Sequence, residues 1–141
     1  MEVDALCKLL QQFLDPSIDS MQKKVLEEQL VSMRESALST WRRPYMWLTH
    51  DKSVSHVQWF AASTLEKCVL GHWESIDEGE RGVMRDSVLE FILQRYDSLP
   101  PYVSTKVAKV FVDIGKFDWP HRYPELLPKV HMAVTQGKRS S

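Results

Sequence analysis

Apolar residues in this 141-residue chain recur at i, i+3, i+4 and i+7 in block after block, each closed by proline, glycine or an Asp/Ser turn. That period puts one apolar stripe on each helix, and stripes separated by short breaks can be buried only by pairing helices. Val3, Leu6, Leu9, Leu10, Phe13 and Leu14 mark a first helix, stopped by DPS at residues 15 to 17. Ile18, Met21, Val25, Leu26 and Met33 are predicted to carry the core face of a second, ending near Ser36, with Lys23, Lys24, Glu27, Glu28 and Arg34 on its charged side. WRRPYMWLTHD is a shorter aromatic and basic helix with Pro44 in its first turn, where proline is tolerated. The run SVSHVQWFAASTLEKCVLGHW is predicted to close at Gly71 and Trp73. DEGERGVMRDSVLEFILQRYDS follows, its start weakened by Gly79 and Gly82, and Pro100 and Pro101 separate it from YVSTKVAKVFVDIGKFD. There is no Asn-Gly hairpin and no sustained period of two, so no strand is predicted.

The second members of successive helix pairs are predicted to begin near residues 18, 54 and 101, intervals that bracket the roughly 40 to 47 residues of HEAT-type repeats. The leading fold is therefore all-α, a right-handed α-solenoid of HEAT-like helical hairpins (an ARM/HEAT superhelix), ahead of a closed bundle. Repeats are expected at about 1–36, 40–73 and 77–117, with the first helix of a fourth at 119–136 and a tail at 137–141. On the helix from Val54 to Trp73, the face Val57, Phe60, Ala61, Thr64, Leu65 and Cys68 points inward, while Trp59, Ser63, Glu66 and Leu70 lie opposite at about 100° per residue. The same count from Tyr102 to Phe117 buries Val103, Val107, Val110 and Ile114 and turns Thr105, Lys109, Val112 and Lys116 outward.

Composition removes several functions. With 18 Lys+Arg against 19 Asp+Glu and a net charge of -1, no basic field exists to collect nucleic acid or an anionic membrane. Trp41, Arg42, Arg43, Tyr45 and Trp47 could stack single-stranded bases, but in a neutral chain they are better used packing an outer helix. The sequence opens MEVDALCKLL, without the pattern of a signal peptide, and no apolar run approaches the roughly 20 residues of a membrane span. Cys7 and Cys68 form no CxxC and read as reduced thiols of a cytosolic or nuclear protein. His50, His56, His72, His121 and His131 make no HExxH and no i, i+4 pair, so neither metal nor cofactor is predicted. No GxSxG elbow is present, and GKRS at residues 137 to 140 lacks the upstream glycines of a phosphate loop. A catalytic site is not predicted.

VLEEQLVSMRES closing the first pair, WFAASTLEKCVLGHW in the second and KVAKVFVDIGKFDWPHRYPELL after it carry a resemblance. The chain resembles the N-terminal repeats of the importin-β/exportin superfamily of nuclear transport receptors, over most of its length to about Gln136. The last segment is similar to that family's lysine-containing third-repeat helix and its following D/E-W-P-x-x-x-P turn. VDIGKFDWP and STWRRPYMWL resemble in particular the exporter branch associated with profilin-actin. The closing GKRSS departs from the family's helical continuation.

The resemblance implies a binding protein rather than an enzyme. Such receptors bind the GTP form of Ran mainly through the second helices of their N-terminal repeats, carry protein cargo on the rest of the solenoid, contact nucleoporins and shuttle between nucleus and cytoplasm. Neither nucleic acid nor membrane insertion is implied. The face that would meet Ran is assigned by helix counting: Lys23, Glu27 and Arg34 on the first second-helix, Trp59, Ser63 and Glu66 on the next, and Lys109, Val112 and Lys116 on the third. Trp59 is the expected anchor, because aromatic side chains dominate interface energies; packing against a neighbouring repeat is its other use, and simple solvation is the other use of the charged residues. The alternative function is a HEAT/armadillo scaffold that binds a protein partner without Ran. Pro120, Pro124 and Pro128 are expected to punctuate repeats, with Asp118 as a cap, Pro128 bending its helix, and Leu126, Leu127, Val130 and Val134 left as an open apolar end.

Overall fold

Helix ends are fixed here by side chains that satisfy backbone groups the helix cannot. In the computed structural model, which describes residues 2–50 and 53–118, the six helices are α1 (Glu2–Phe13), α2 (Ser20–Ala37), α3 (Arg42–Thr49), α4 (Ser55–His72), α5 (Glu78–Arg95) and α6 (Pro101–Asp118). Asp15 accepts the Ser17 N–H at 2.9 Å and its hydroxyl at 2.7 Å, a local turn that with Pro16 ends α1. Asp19 caps α2 by accepting the Gln22 N–H at 2.7 Å, and Asp77 caps α5 by accepting the Gly79 N–H at 3.1 Å. Pro101 is the first residue of α6, where its missing N–H costs nothing, and the Pro100 carbonyl accepts from both Val103 and Ser104 at 3.0 Å. Short 3-10 turns at Trp73–Ser75 and Tyr96–Ser98 follow α4 and α5.

No strand occurs among the described residues, and the helices pack as hairpins, α1 on α2 and α5 on α6: the all-α, HEAT-like class that the periodicity predicts. The second helices begin at Ser20, Ser55 and Pro101, beside the predicted 18, 54 and 101. α4 ends at His72, between Gly71 and Trp73 where the sequence predicts its close, and Gly71 sits in its last turn without a left-handed backbone. The segment from Trp119 onward, with its three prolines, the fourth helix, the tail, the apolar end, His121 and His131, lies outside the described residues.

The described residues divide into two compact units, with the boundary between Leu65 and Glu66 inside α4. In the first, Val3, Leu6 and Leu10 of α1 meet a stripe of α2 that differs from the predicted one. Leu30 and Ala37 are buried and Leu26 and Met33 half-buried, an i, i+4, i+7, i+11 series, while Met21 and Val25 are exposed. Val25 stands five residues from Leu30, about 140° around the helix, so one stripe cannot bury both. Met21 and Val25 instead line a groove of about 690 Å³ with Gln12, Ile18 and Gln29. Trp47 is fully buried, its ring 6.0 Å from that of Phe60. Glu2 clamps α1 to α3: its carboxylate takes Arg43 Nε and Nη2 at 2.9 Å each, and the Trp47 indole N–H donates to it as well.

In the second unit, Met84, Val88, Leu89, Phe91 and Ile92 of α5 and Val103, Val107, Val110, Phe111 and Ile114 of α6 close over Cys68, Val69 and Trp73. Trp73 stacks on Phe117 with ring centroids 5.9 Å apart, and Arg81 lies 5.6 Å from its ring while donating Nε to the Trp73 carbonyl at 3.1 Å. The predicted inward faces of α4 and α6 are buried in full. No described helix is long and apolar enough to cross a membrane.

Candidate partner-binding face

In the first unit, Lys23, Glu27 and Arg34 stand at i, i+4 and i+11 on α2, which aligns them along one side. Lys23 and Glu27 are exposed, and the Lys23 ammonium lies 5.2 Å from the centroid of the Phe13 ring. Arg34 is half-buried, and its Nε is buried without a hydrogen-bond partner. On α4, Trp59 is 41% exposed, whereas Ser63, one turn on, is buried and offers little surface. Residues 60–65 are all buried, so the centre of α4 is enclosed on more than its apolar face.

In the second unit the structure brings together Glu66, Lys109 and Lys116 and adds two residues that the sequence reading passed over, Lys106 and Asp113. Glu66 takes Lys106 and Lys109 at 2.8 Å each, and Asp113 takes Lys109 at 2.9 Å and Lys116 at 3.5 Å. The carboxylates are the sheltered members, their side chains 14% and 1% exposed, and Lys109 and Lys116 the open ones, at 51% and 67%. Val112 is 49% exposed beside them. Asp113 was legible in principle, because it stands four residues after Lys109 and three before Lys116, the spacings at which helical side chains meet.

Burial alone would push the Glu66 carboxyl upward. The hydrogen bonds from Lys106 and Lys109 together outweigh it and leave Glu66 below the ordinary carboxylate value. Those that Lys109 gives to Glu66 and Asp113 raise the Lys109 ammonium above its usual value, so it stays charged throughout the physiological range. Among the described residues no three His, Cys, Asp or Glu side chains are placed to hold a metal. Cys68 is buried and its thiol pushed up to about 11 by desolvation, which keeps it protonated. Trp41 and Trp47 of the aromatic and basic cluster are buried in the packing of α3, which closes their faces to nucleic-acid bases.

The importin-beta N-terminal domain family matches residues 26–94, from within α2 to within α5. Exportin-6-A of Xenopus laevis is 25% identical over 126 residues, covering 89% of this chain and 11% of that relative. Exportin-6 of Danio rerio is 26% identical over 137 residues, covering 97% of this chain and 12% of that protein. Exportin-6 of Homo sapiens is 23% identical over 126 residues, covering 89% and 11%. The chain thus spans 11 to 12% of the length of these curated relatives. No solved structure matches it.

Proposed function

We propose, from the premise that this chain is an importin-β/exportin N-terminal region similar to exportin-6, that it forms the Ran-GTP-binding end of a receptor exporting protein cargo from the nucleus. The carrying observation is the importin-beta N-terminal domain match over residues 26–94, the stretch that contains most of α2 and all of α4. Ran-GTP would meet the exposed sides of the second helices, at Lys23 and Glu27 on α2, Trp59 on α4, and Lys109, Val112 and Lys116 on α6, with Arg34 and Glu66 partly sheltered beside them and the buried Ser63 outside that surface. Cargo, by resemblance profilin-actin, and nucleoporins would engage other parts of the receptor, which would shuttle between nucleus and cytoplasm. Ran-GTP and cargo would then each raise the affinity of the other, because coupling between two sites is reciprocal. The chain would act by binding, without catalysis.

The test is binding of Ran, loaded with a non-hydrolysable GTP analogue or with GDP, to the longest product of the gene. A preference of about tenfold or more for the GTP form supports the reading, and Trp59→Ala should reduce it. Equal binding of both forms, or none, overturns it and leaves a helical-repeat scaffold.

A further inference from the structure

We infer that Asp113 is a positioning residue, holding Lys109 and Lys116 with Val112 between them as a docking point for an acidic segment of a protein partner; this rests on reading the exposed side of α6 as partner-facing. Lys109, Val112 and Lys116 stand at i, i+3 and i+7, which places them on one side of α6, and each is about half exposed or more. A lysine on an open surface ordinarily samples many rotamers and must be ordered when it binds. Here the buried Asp113 carboxylate accepts a hydrogen bond from Lys109 at 2.9 Å, while its Oδ1, buried without a hydrogen-bond partner, lies 3.5 Å from the Lys116 ammonium and draws it in by charge alone.

The two lysines are not equally committed. Lys109 is shared between Glu66 at 2.8 Å and Asp113 at 2.9 Å, whereas Lys116 has the longer 3.5 Å contact and the greatest exposure of the set. A carboxylate arriving from outside therefore finds Lys116 drawn toward the cluster yet incompletely neutralised, and a charge-assisted pair forms there without breaking the shorter contacts. The partner chemistry is an acidic protein segment rather than a nucleic acid. The whole chain carries a net charge of -1 and so lacks the basic field that collects a phosphate backbone, and Val112 offers an apolar contact that a protein side chain can use.

Asp113→Asn separates positioning from bulk attraction, because it adds one positive charge to the cluster while removing the group that orients it. The probe is a labelled decapeptide alternating glutamate and alanine, with its glutamine counterpart as control, titrated against the whole chain at low and moderate salt. Expected are salt-sensitive binding of the acidic peptide only and a loss of about three- to tenfold in both Asp113→Asn and Lys116→Gln, with the double variant no worse than Lys116→Gln alone. Lys116→Gln alters an exposed side chain and keeps the test decisive even where Asp113→Asn melts early. Equal binding of the two peptides, undiminished binding by Lys116→Gln, tighter binding by folded Asp113→Asn, or preference for a single-stranded oligonucleotide overturns the inference. Failure of Ran to discriminate nucleotide state while the peptide results hold would overturn the receptor reading alone.

Discussion

Trp47 is enclosed, with its indole N–H donated to Glu2, the Arg43 guanidinium 5.6 Å from its ring and Phe60 packed beside it; Trp59, on α4, keeps 41% of its surface open. Trp47→Ala should therefore cost about 3 to 5 kcal/mol through the cavity it leaves, and Trp59→Ala about 1 kcal/mol or less, both read as shifts in the urea midpoint. Partner binding should show the opposite order among variants that remain folded. The sequence distinguishes the two tryptophans only in part. Helical counting puts Trp59 opposite the apolar face of α4, and the structure agrees on its exposure. It also put Ser63 on that side, where the neighbouring packing buries it, because the width of a buried face depends on what lies against it and not on period alone. Asp113 shows the same limit, since a carboxylate in a helix reads as surface until its lysines are seen to cover it.

Helix α4 runs for 18 residues and includes Gly71 one residue before its end, where an added Cβ would meet nothing within 4 Å. Gly71→Ala should stabilise the chain by about 0.5 to 1 kcal/mol by restricting the unfolded backbone, visible as a rise in melting temperature of a few degrees. A fall would mean that the helix needs the glycine. Among the described residues the six helices and their order were legible, since proline and Asp/Ser punctuation acts locally: Pro101 opens α6 and Asp77 caps α5 without help from distant residues. The register of α2 was not. Its apolar residues occupy two sides, Leu26, Leu30 and Met33 on one and Met21 and Val25 on the other, and only contact with α1 decides which is core.

At the scale of the molecule, each compact unit contains a buried or half-buried carboxylate held by basic groups. Hydrogen bonds from Arg43, aided by the Trp47 N–H against the cost of burial, keep Glu2 below its ordinary 4.5, and Glu66 is lowered by Lys106 and Lys109 despite its own burial. Because both folded values lie below 4.5, the folded chain binds fewer protons than the unfolded chain just beneath that pH. Their contribution to stability is complete above it and is lost as pH falls through the folded values. The urea midpoint should hold from neutrality down to about pH 5 and then decline, and Glu2→Gln with Glu66→Gln should flatten that decline; an unchanged slope refutes the assignment. Family likeness was readable because repeat punctuation and the WFAASTLEKCVLGHW segment, which lies inside the matched residues 26–94, are dense in shape-determining residues. Which partner docks was not, since it depends on surface charge held in place by groups far apart in sequence, as Glu66 and Lys106 are. The graded enclosure of the tryptophans has an optical consequence. Trp41, Trp47 and Trp73 are shielded from water, and among the described residues Trp59 is the indole most open to a dissolved quencher. Acrylamide should dim its emission first, and a protein seated on that side of α4 should protect it, so the chain carries a built-in fluorescent reporter at the surface where docking is proposed.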